Sequence, residues 1–226
     1  MKIDNLTLSF GNKIVLKDVN IDIPKGDFIF FIGHSGSGKT SLIRSIIGDF
    51  KGESGDIILD NGSMLYMNHS NKFITSYRKT IGVIFQDYKL LESKKVYENV
   101  AFAMEVCGYS DKMIAKRVPE VLDQVGLIMK KDKYINELSG GEAQRVSIAR
   151  ALVHNPSTII GDEPTGNLDP ETAMSIMKIF EDLNKEGKTI IIATHDKNIV
   201  DKMGKRVITF KDKEVISDVK KGDYNL

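Results

Sequence analysis

Phe28-Ile29-Phe30-Phe31-Ile32-Gly33-His34-Ser35-Gly36-Ser37-Gly38-Lys39-Thr40 is the stretch on which the fold turns. Its five leading apolar residues suit a strand buried in a central sheet, and the run is far shorter than the ~20 residues a membrane-spanning helix needs. Gly33 to Thr40 then fits the phosphate-loop pattern GxxxxGK[ST]. Beyond it Leu42, Ile43, Ile46 and Ile47 fall at helical spacing, and Gly48 ends the run. A strand, a glycine-rich loop and a helix in that order is the context the pattern requires. Glycines let the backbone curl so that successive N–H groups point at an anion, and the following helix adds the positive end of its dipole. Lys39 can reach β- and γ-phosphates, and the Thr40 hydroxyl can ligate Mg²⁺. Gly33, His34, Ser35, Gly36, Ser37, Gly38, Lys39, Thr40 and Ser41 are therefore the candidate nucleotide-binding residues of this loop.

Outward from the loop, the pattern alternates between strands and helices. Ile3 to Phe10 and Val15 to Ile23 alternate apolar and polar positions around a Gly11-Asn12 turn. Gly55 to Phe85 reads as strand-rich, with turns at Asp60-Asn61-Gly62 and at 68–71. From about Tyr97 to Val125 the period becomes helical, with Ile114, Val118, Val121, Leu122 and Val125 on one face; Pro119 should kink this stretch or start a new helix. A helix follows from Gly141 to Val153, then a buried strand Thr158 to Gly161. Another helix follows, with Asp169 as N-cap and Pro170 as first residue. Strand Thr189 to Thr194 and a hairpin, Val207 to Phe210 with Val215 to Val219, finish the chain. The reading is one α/β domain over 1–226, with a helical subdomain at about 87–155 inserted in its core.

Composition narrows the function. The 226 residues carry 32 Lys and Arg against 31 Asp and Glu, so no bulk charge draws the chain to nucleic acid or anionic lipid. The single cysteine, Cys107, excludes an internal disulfide framework and reads as a buried small side chain among Ala101 to Met104 and Gly108. The N-terminus is polar where a signal peptide needs an apolar run, and no segment is long enough to span a bilayer. Work at a membrane would need another chain to hold this one there.

Two further segments carry chemistry. Thr158-Ile159-Ile160-Gly161-Asp162-Glu163 is an apolar strand ending in two acids. Next to a phosphate loop, Asp162 suits holding Mg²⁺ through water, and Glu163 suits orienting and deprotonating an attacking water. Leu138-Ser139-Gly140-Gly141-Glu142 opens a helix bearing Arg145 and Arg150, and small residues at a helix start make an anion site. One phosphate loop already serves one nucleotide. A second such helix start points to a nucleotide held by another copy.

The order of phosphate loop, Gln86, LSGGE, Asp162-Glu163, Asn167-Leu168-Asp169 and His195 resembles the ATP-binding subunits of ABC (ATP-binding cassette) systems over nearly the whole chain. The resemblance implies a P-loop NTPase fold of ABC nucleotide-binding-domain type: a RecA-like core, an antiparallel β subdomain and an inserted α-helical subdomain. It also implies ATP hydrolysis to ADP and phosphate with Mg²⁺, and a head-to-tail homodimer in which Ser139, Gly140, Gly141 and Glu142 cover the partner's nucleotide. Gln86 would sense Mg²⁺ and the attacking water, Asp169 would sit in the dimer seam, His195 would hold the γ-phosphate and Phe10 would stack on adenine. Taken singly, Phe10 reads equally as core, Asp169 as a helix cap, Gln86 as a strand cap and His195 as a structural residue.

Within that superfamily, Phe85 to Leu91, Val96 to Val106, Gly166 to Pro170 and Ala193 to Asp196 resemble the FtsE-type cell-division ATPases. That implies an integral membrane partner of FtsX type, regulation of peptidoglycan hydrolysis, and a peripheral place on the cytoplasmic face of the cell membrane. Lipoprotein-release and MacB-type export ATPases share much of this text, and an ATP-gated clamp with negligible turnover is the alternative of another class. Tyr88, Leu90, Leu91, Tyr97 and Phe102 could line a groove for a partner helix; Tyr88 and Leu91 read as docking residues, Val100 and Phe102 as core. Gly161, where Ala is commoner in the family, and Ala143, where Gln is usual, are departures, and the second removes a polar group near the expected seam.

Overall fold

The computed structural model describes residues 1–67 and 70–225. The described chain forms two compact units, Met1–Arg78 with Asn184–Leu226, and Lys79–Leu183.

In the first unit, β1 (Lys2–Phe10) pairs antiparallel with β2 (Lys13–Asp22) and with β4 (Ser54–Ile58), so the order is β2-β1-β4. The alternation read in the sequence is the burial pattern: Ile3, Leu6 and Leu8 of β1 and Leu16, Val19 and Ile21 of β2 are buried. A second sheet carries the phosphate loop. Its centre is β3 (Phe28–Gly33), every residue of which is buried. It is flanked in parallel by β7 (Thr189–Ala193) and β8 (Arg206–Lys211), with β9 (Glu214–Val219) returning antiparallel beside β8. The β8–β9 turn places Asp212 and Lys213 in left-handed backbone, as a two-residue hairpin demands. Helix α1 (Lys39–Ile46) follows β3 and buries Leu42, Ile43 and Ile46; Gly48, at φ 76°, terminates the run.

The strand-rich expectation for 55–85 is half wrong, because α2 occupies Asn71–Arg78. Ile74 and Tyr77, three apart, are buried, Tyr77 Oη donates to the Ile46 carbonyl at 2.8 Å and Arg78 Nε to that of Ile47 at 2.9 Å. These contacts satisfy carbonyls left open at the buried end of α1 and override β-prone side chains. Of the turn expected at 68–71, Asn68 and His69 lie outside the described residues and Asn71 opens α2.

In the second unit, β5 (Ile81–Phe85) and β6 (Thr158–Asp162) pair in parallel. Gly82 lies so close to the Ala151 carbonyl that a Cβ would stand 2.5 Å from it. Three helices lie between those strands in sequence: α3 (Val96–Val106), α4 (Asp111–Gln124) and α5 (Gly140–Leu152). Helix α4 continues through Pro119 with no new helix beginning there. The ring costs the bond to the carbonyl of Ala115, an exposed residue where water can replace it. Helix α6 (Pro170–Lys185) starts as expected: Asp169 Oδ1 accepts from the N–H groups of Glu171 and Thr172 at 3.1 and 2.9 Å. In the first unit, α7 (Lys197–Met203) was not foreseen; Asp196 caps it through Asn198 and Ile199 N–H. Cys107 is half-buried, not buried, at the end of α3. Among the described residues no helix is long and apolar enough to cross a membrane.

Candidate nucleotide-binding and signature sites

The loop Gly33–Thr40 is shaped by approaches that exclude side chains. Gly33 has φ 150°, and a Cβ there would lie 2.4 Å from the Phe210 carbonyl oxygen. Gly38 has φ 106°, and its Cβ would meet Leu16 Cδ2 at 2.5 Å and the Val15 carbonyl at 2.9 Å. The curl is therefore pinned against β8 on one side and β2 on the other. His34, Ser35 and Gly36 at its crest are exposed, as is Thr40, and Ser41 is half-buried. Lys39 is 8% exposed, and its Nζ donates to the carbonyls of Gly33 at 2.7 Å and His34 at 3.1 Å. Ser37 Oγ is buried without a hydrogen-bond partner. A hidden cation bent over its own loop and an orphaned hydroxyl beside it are what a phosphate cradle leaves.

His195 emerges from the C-terminal end of β7, and β7 pairs in register with β3 (Phe31 opposite Ala193). The loop and His195 therefore leave neighbouring parallel strands at the same edge, where α/β sheets bind ligands. Phe10 closes β1, is 48% exposed and lies edge-on to Phe50 at 4.9 Å, so it is not a core residue. Arg44 of α1 lies over Phe50 at 5.2 Å.

The second unit repeats the edge arrangement. Phe85 lies opposite Asp162, so Gln86, Asp162 and Glu163 emerge together from the C-terminal ends of β5 and β6. Glu163 holds φ 50°, left-handed backbone that a non-glycine residue adopts at a cost. The exposed Gln86 amide donates to Asn167 Oδ1 at 3.4 Å, and a Cβ on Gly166 would sit 3.0 Å from it. Within this unit Gln86 and Asp162 carry an amide oxygen and a carboxylate, hard donors of the kind Mg²⁺ prefers. Among the described residues no group of three or more His, Cys, Asp or Glu could hold a metal.

LSGGE forms the start of α5. Ser139 is its N-cap: its hydroxyl accepts from Glu142 N–H at 3.4 Å, while Glu142 Oε2 accepts from Ser139 N–H at 3.1 Å. A cavity of about 340 Å³ opens there, lined by Ser139, Gly140, Gly141, Glu142, Arg145 and Asp169 among others. The signature turn and Asp169 thus share one hollow. Gly141 permits it, since a Cβ would stand 2.5 Å from Thr172 Cγ2 of α6. Ala143 is buried, so that departure touches the core and not the cavity. Gly161 lies within the β5–β6 ladder opposite Ile84.

Two side chains, Arg150 and Asn99, hold the chain after Gln86. Arg150 of α5 donates to the carbonyls of Tyr88 at 2.8 Å and Lys89 at 2.5 Å, both in left-handed backbone. Burial pushes its pKa down. The fully buried Asn99 accepts from Leu91 N–H at 2.8 Å and donates to the Leu91 carbonyl at 3.0 Å. Val100 is buried as expected; Phe102 is 40% exposed, which corrects its reading as core.

The chain matches the ABC transporter family over residues 16–166. It belongs to the ABC transporter family. The cell-division ATP-binding protein FtsE of Bacillus subtilis is 45% identical over 209 residues, covering 92% of this chain and 91% of that protein. The methionine import ATP-binding protein MetN of Clostridioides difficile is 42% identical over 217 residues, 96% of this chain and 67% of that protein. The dimeric structure of MJ0796, a bacterial ABC transporter cassette, superposes with a TM-score of 0.87 at 35% identity and covers 99% of both chains. MJ0796 is also known as a dimer in a post-hydrolysis state bound to ADP and Pi. As an ABC transporter ATP-binding subunit, the chain has the P-loop NTPase fold of that family.

Proposed function

We propose that the chain hydrolyses ATP in a head-to-tail homodimer and passes the resulting motion to an integral membrane partner of FtsX type in cell division. The observation that carries the cell-division reading is the 45% identity to FtsE across nine-tenths of both chains. MetN offers a reading of another kind, and the chain spans only 67% of that protein. Lipoprotein-release or MacB-type export remains the alternative within the family, and a peripheral place on the inner face of the cell membrane follows from either.

In this reading Lys39 leaves the carbonyls of Gly33 and His34 for β- and γ-phosphate oxygens, and the Gly33–Ser41 backbone encloses them. Thr40, Gln86 and Asp162 would hold Mg²⁺, which would supply positive charge against the phosphates. Glu163 takes a proton from the attacking water, His195 steadies the γ-phosphate, and Phe10 covers the adenine. The partner's copies of Ser139, Gly140, Gly141 and Glu142 close over the site, with Asp169 in the seam. Closure orients these groups before reaction, so turnover follows dimerisation.

The exposed Phe102 and Val106 of α3, with half-buried Tyr88 and Leu91 before it, support a docking face for a partner helix. Domain organisation follows the family: one ATPase domain with helices at about 87–155 inserted.

Glu163→Gln tests the enzyme. It should abolish phosphate release, by ~10²-fold or more, and trap an ATP-bound dimer; a clamp without turnover would hardly change. Mass spectrometry of the chain purified with its native membrane neighbours tests the partner. Recovery of an import or export permease in place of an FtsX-like protein overturns the cell-division role and leaves the ATPase standing.

A further inference from the structure

Glu142 puts a carboxylate where phosphate is expected to arrive. The cavity at the start of α5 is lined by two acids, Glu142 and Asp169, against one guanidinium, Arg145. An acid in the first turn suits the helix itself, yet it occupies the positive end that a phosphate would use. Lys130 answers that charge: its Nζ donates to Glu142 Oε1, while Glu142 Oε2 holds the Ser139 N–H. The Glu142 carboxyl is accordingly held below the usual carboxylate range, first by Lys130 and then by the Ser139 N–H.

Backbone pairing sets where Lys130 stands. It ends a short 3-10 turn, Ile128–Lys130, and the chain just after it is bound to the start of α3. Tyr97 N–H donates to the Lys131 carbonyl and Val96 N–H to that of Lys133, each at 2.9 Å. Lys95 and Tyr134 form a further bridge. All these residues belong to the second compact unit.

We propose that Lys130 is a positioning residue of the signature site: it neutralises Glu142 and keeps that carboxylate on the Ser139 N–H, so that Ser139–Gly141 can accept a γ-phosphate presented by a second copy of the chain. The inference rests on the clamp reading given above. Lys130 and Glu142 are 45% and 27% exposed, so the pair adds little to fold stability, and its effect falls on the incoming anion. Without Lys130 the carboxylate meets phosphate uncompensated and opposes closure.

The test is Mg²⁺-ATP-driven dimerisation of the full chain in a Glu163→Gln parent, followed by light scattering across an ATP titration. Lys130→Gln should raise the ATP concentration for half-maximal dimerisation about fivefold. Glu142→Gln should lower it, and the double variant should return to within about twofold of the parent. A pair that merely stabilises the fold would move both single variants the same way and lower the unfolding midpoint of each. That pattern, or a double variant no better than Lys130→Gln, overturns the proposal. Ser139→Arg separates the two readings. If it dimerises as the parent does, or if the parent does not dimerise, the clamp falls and this inference with it. If Ser139→Arg abolishes dimerisation while Lys130→Gln matches the parent, only this inference falls.

Discussion

Helix α1 starts from Gly38, a left-handed residue with no side chain to cap it and no acid in its first turn. Helix α5 starts from Ser139, whose hydroxyl closes a reciprocal capping box with Glu142. Both starts are expected to face phosphate, and the contrast shows two ways of keeping such a site ready. At α1 the backbone does the shaping: glycines pressed against β2 and β8 hold the curl, and Lys39 waits on the loop's own carbonyls. At α5 side chains hold the N–H groups of Ser139 and Glu142, so the turn is fixed before any nucleotide arrives. The first site is specified by what cannot be added to it, the second by polar groups that can be removed one at a time.

The comparison breaks first at Gly38. Gly38→Val forces a branched side chain onto φ 106° and into Leu16, so thermal unfolding should report a loss of roughly 3 kcal/mol, with nucleotide binding abolished. A folded variant that still binds ATP would mean the curl is not what shapes the loop. Next comes Arg150→Met, which strips two carbonyls of a half-buried, charged donor; urea titration should show a loss of about 1.5–3 kcal/mol. Hydrogen exchange should quicken at 88–91 and leave α1 unchanged. Ser139→Ala should cost about 1 kcal/mol, the ordinary price of a lost N-cap, with the phosphate loop unaffected.

The smallest effect is set by pH. Glu142 and Asp169 both have carboxyls held below their ordinary values, Glu142 first by Lys130 and Asp169 first by the Thr172 hydroxyl. A carboxyl lowered on folding adds stability above its unfolded value, near pH ~4, and loses it as pH falls through the folded value. Acidification below that point should loosen the starts of α5 and α6 before that of α1, which carries no acid in its first turn. Equal loosening of all three, read by amide exchange, would erase the distinction.

The phosphate loop, the LSGGE turn and the Asp162-Glu163 strand end could be read from the sequence because each is a local device. The register of an apolar strand, a glycine or a cap residue decides it within a few positions. Helix α2 escaped because Ile74 and Tyr77 are β-prone, and only the carbonyls left open at the end of α1 make a helix there worthwhile. Phe102 escaped for the opposite reason, since spacing on a helix says which residues share a face and not whether anything covers it.

Residue types and their order by themselves determined the family, the edge from which each catalytic candidate leaves its strand, and the two helix starts suited to phosphate. Only the tertiary structure decided which polar side chains steady them. Arg150 binds carbonyls 61 and 62 residues away, Asn99 binds Leu91 across the loop, and Lys130 meets Glu142. A lysine, an asparagine or an arginine in a helix or turn has no periodicity that names its partner. The partner is a backbone group or a charge brought near by folding, and it exists only once the chain has closed around it.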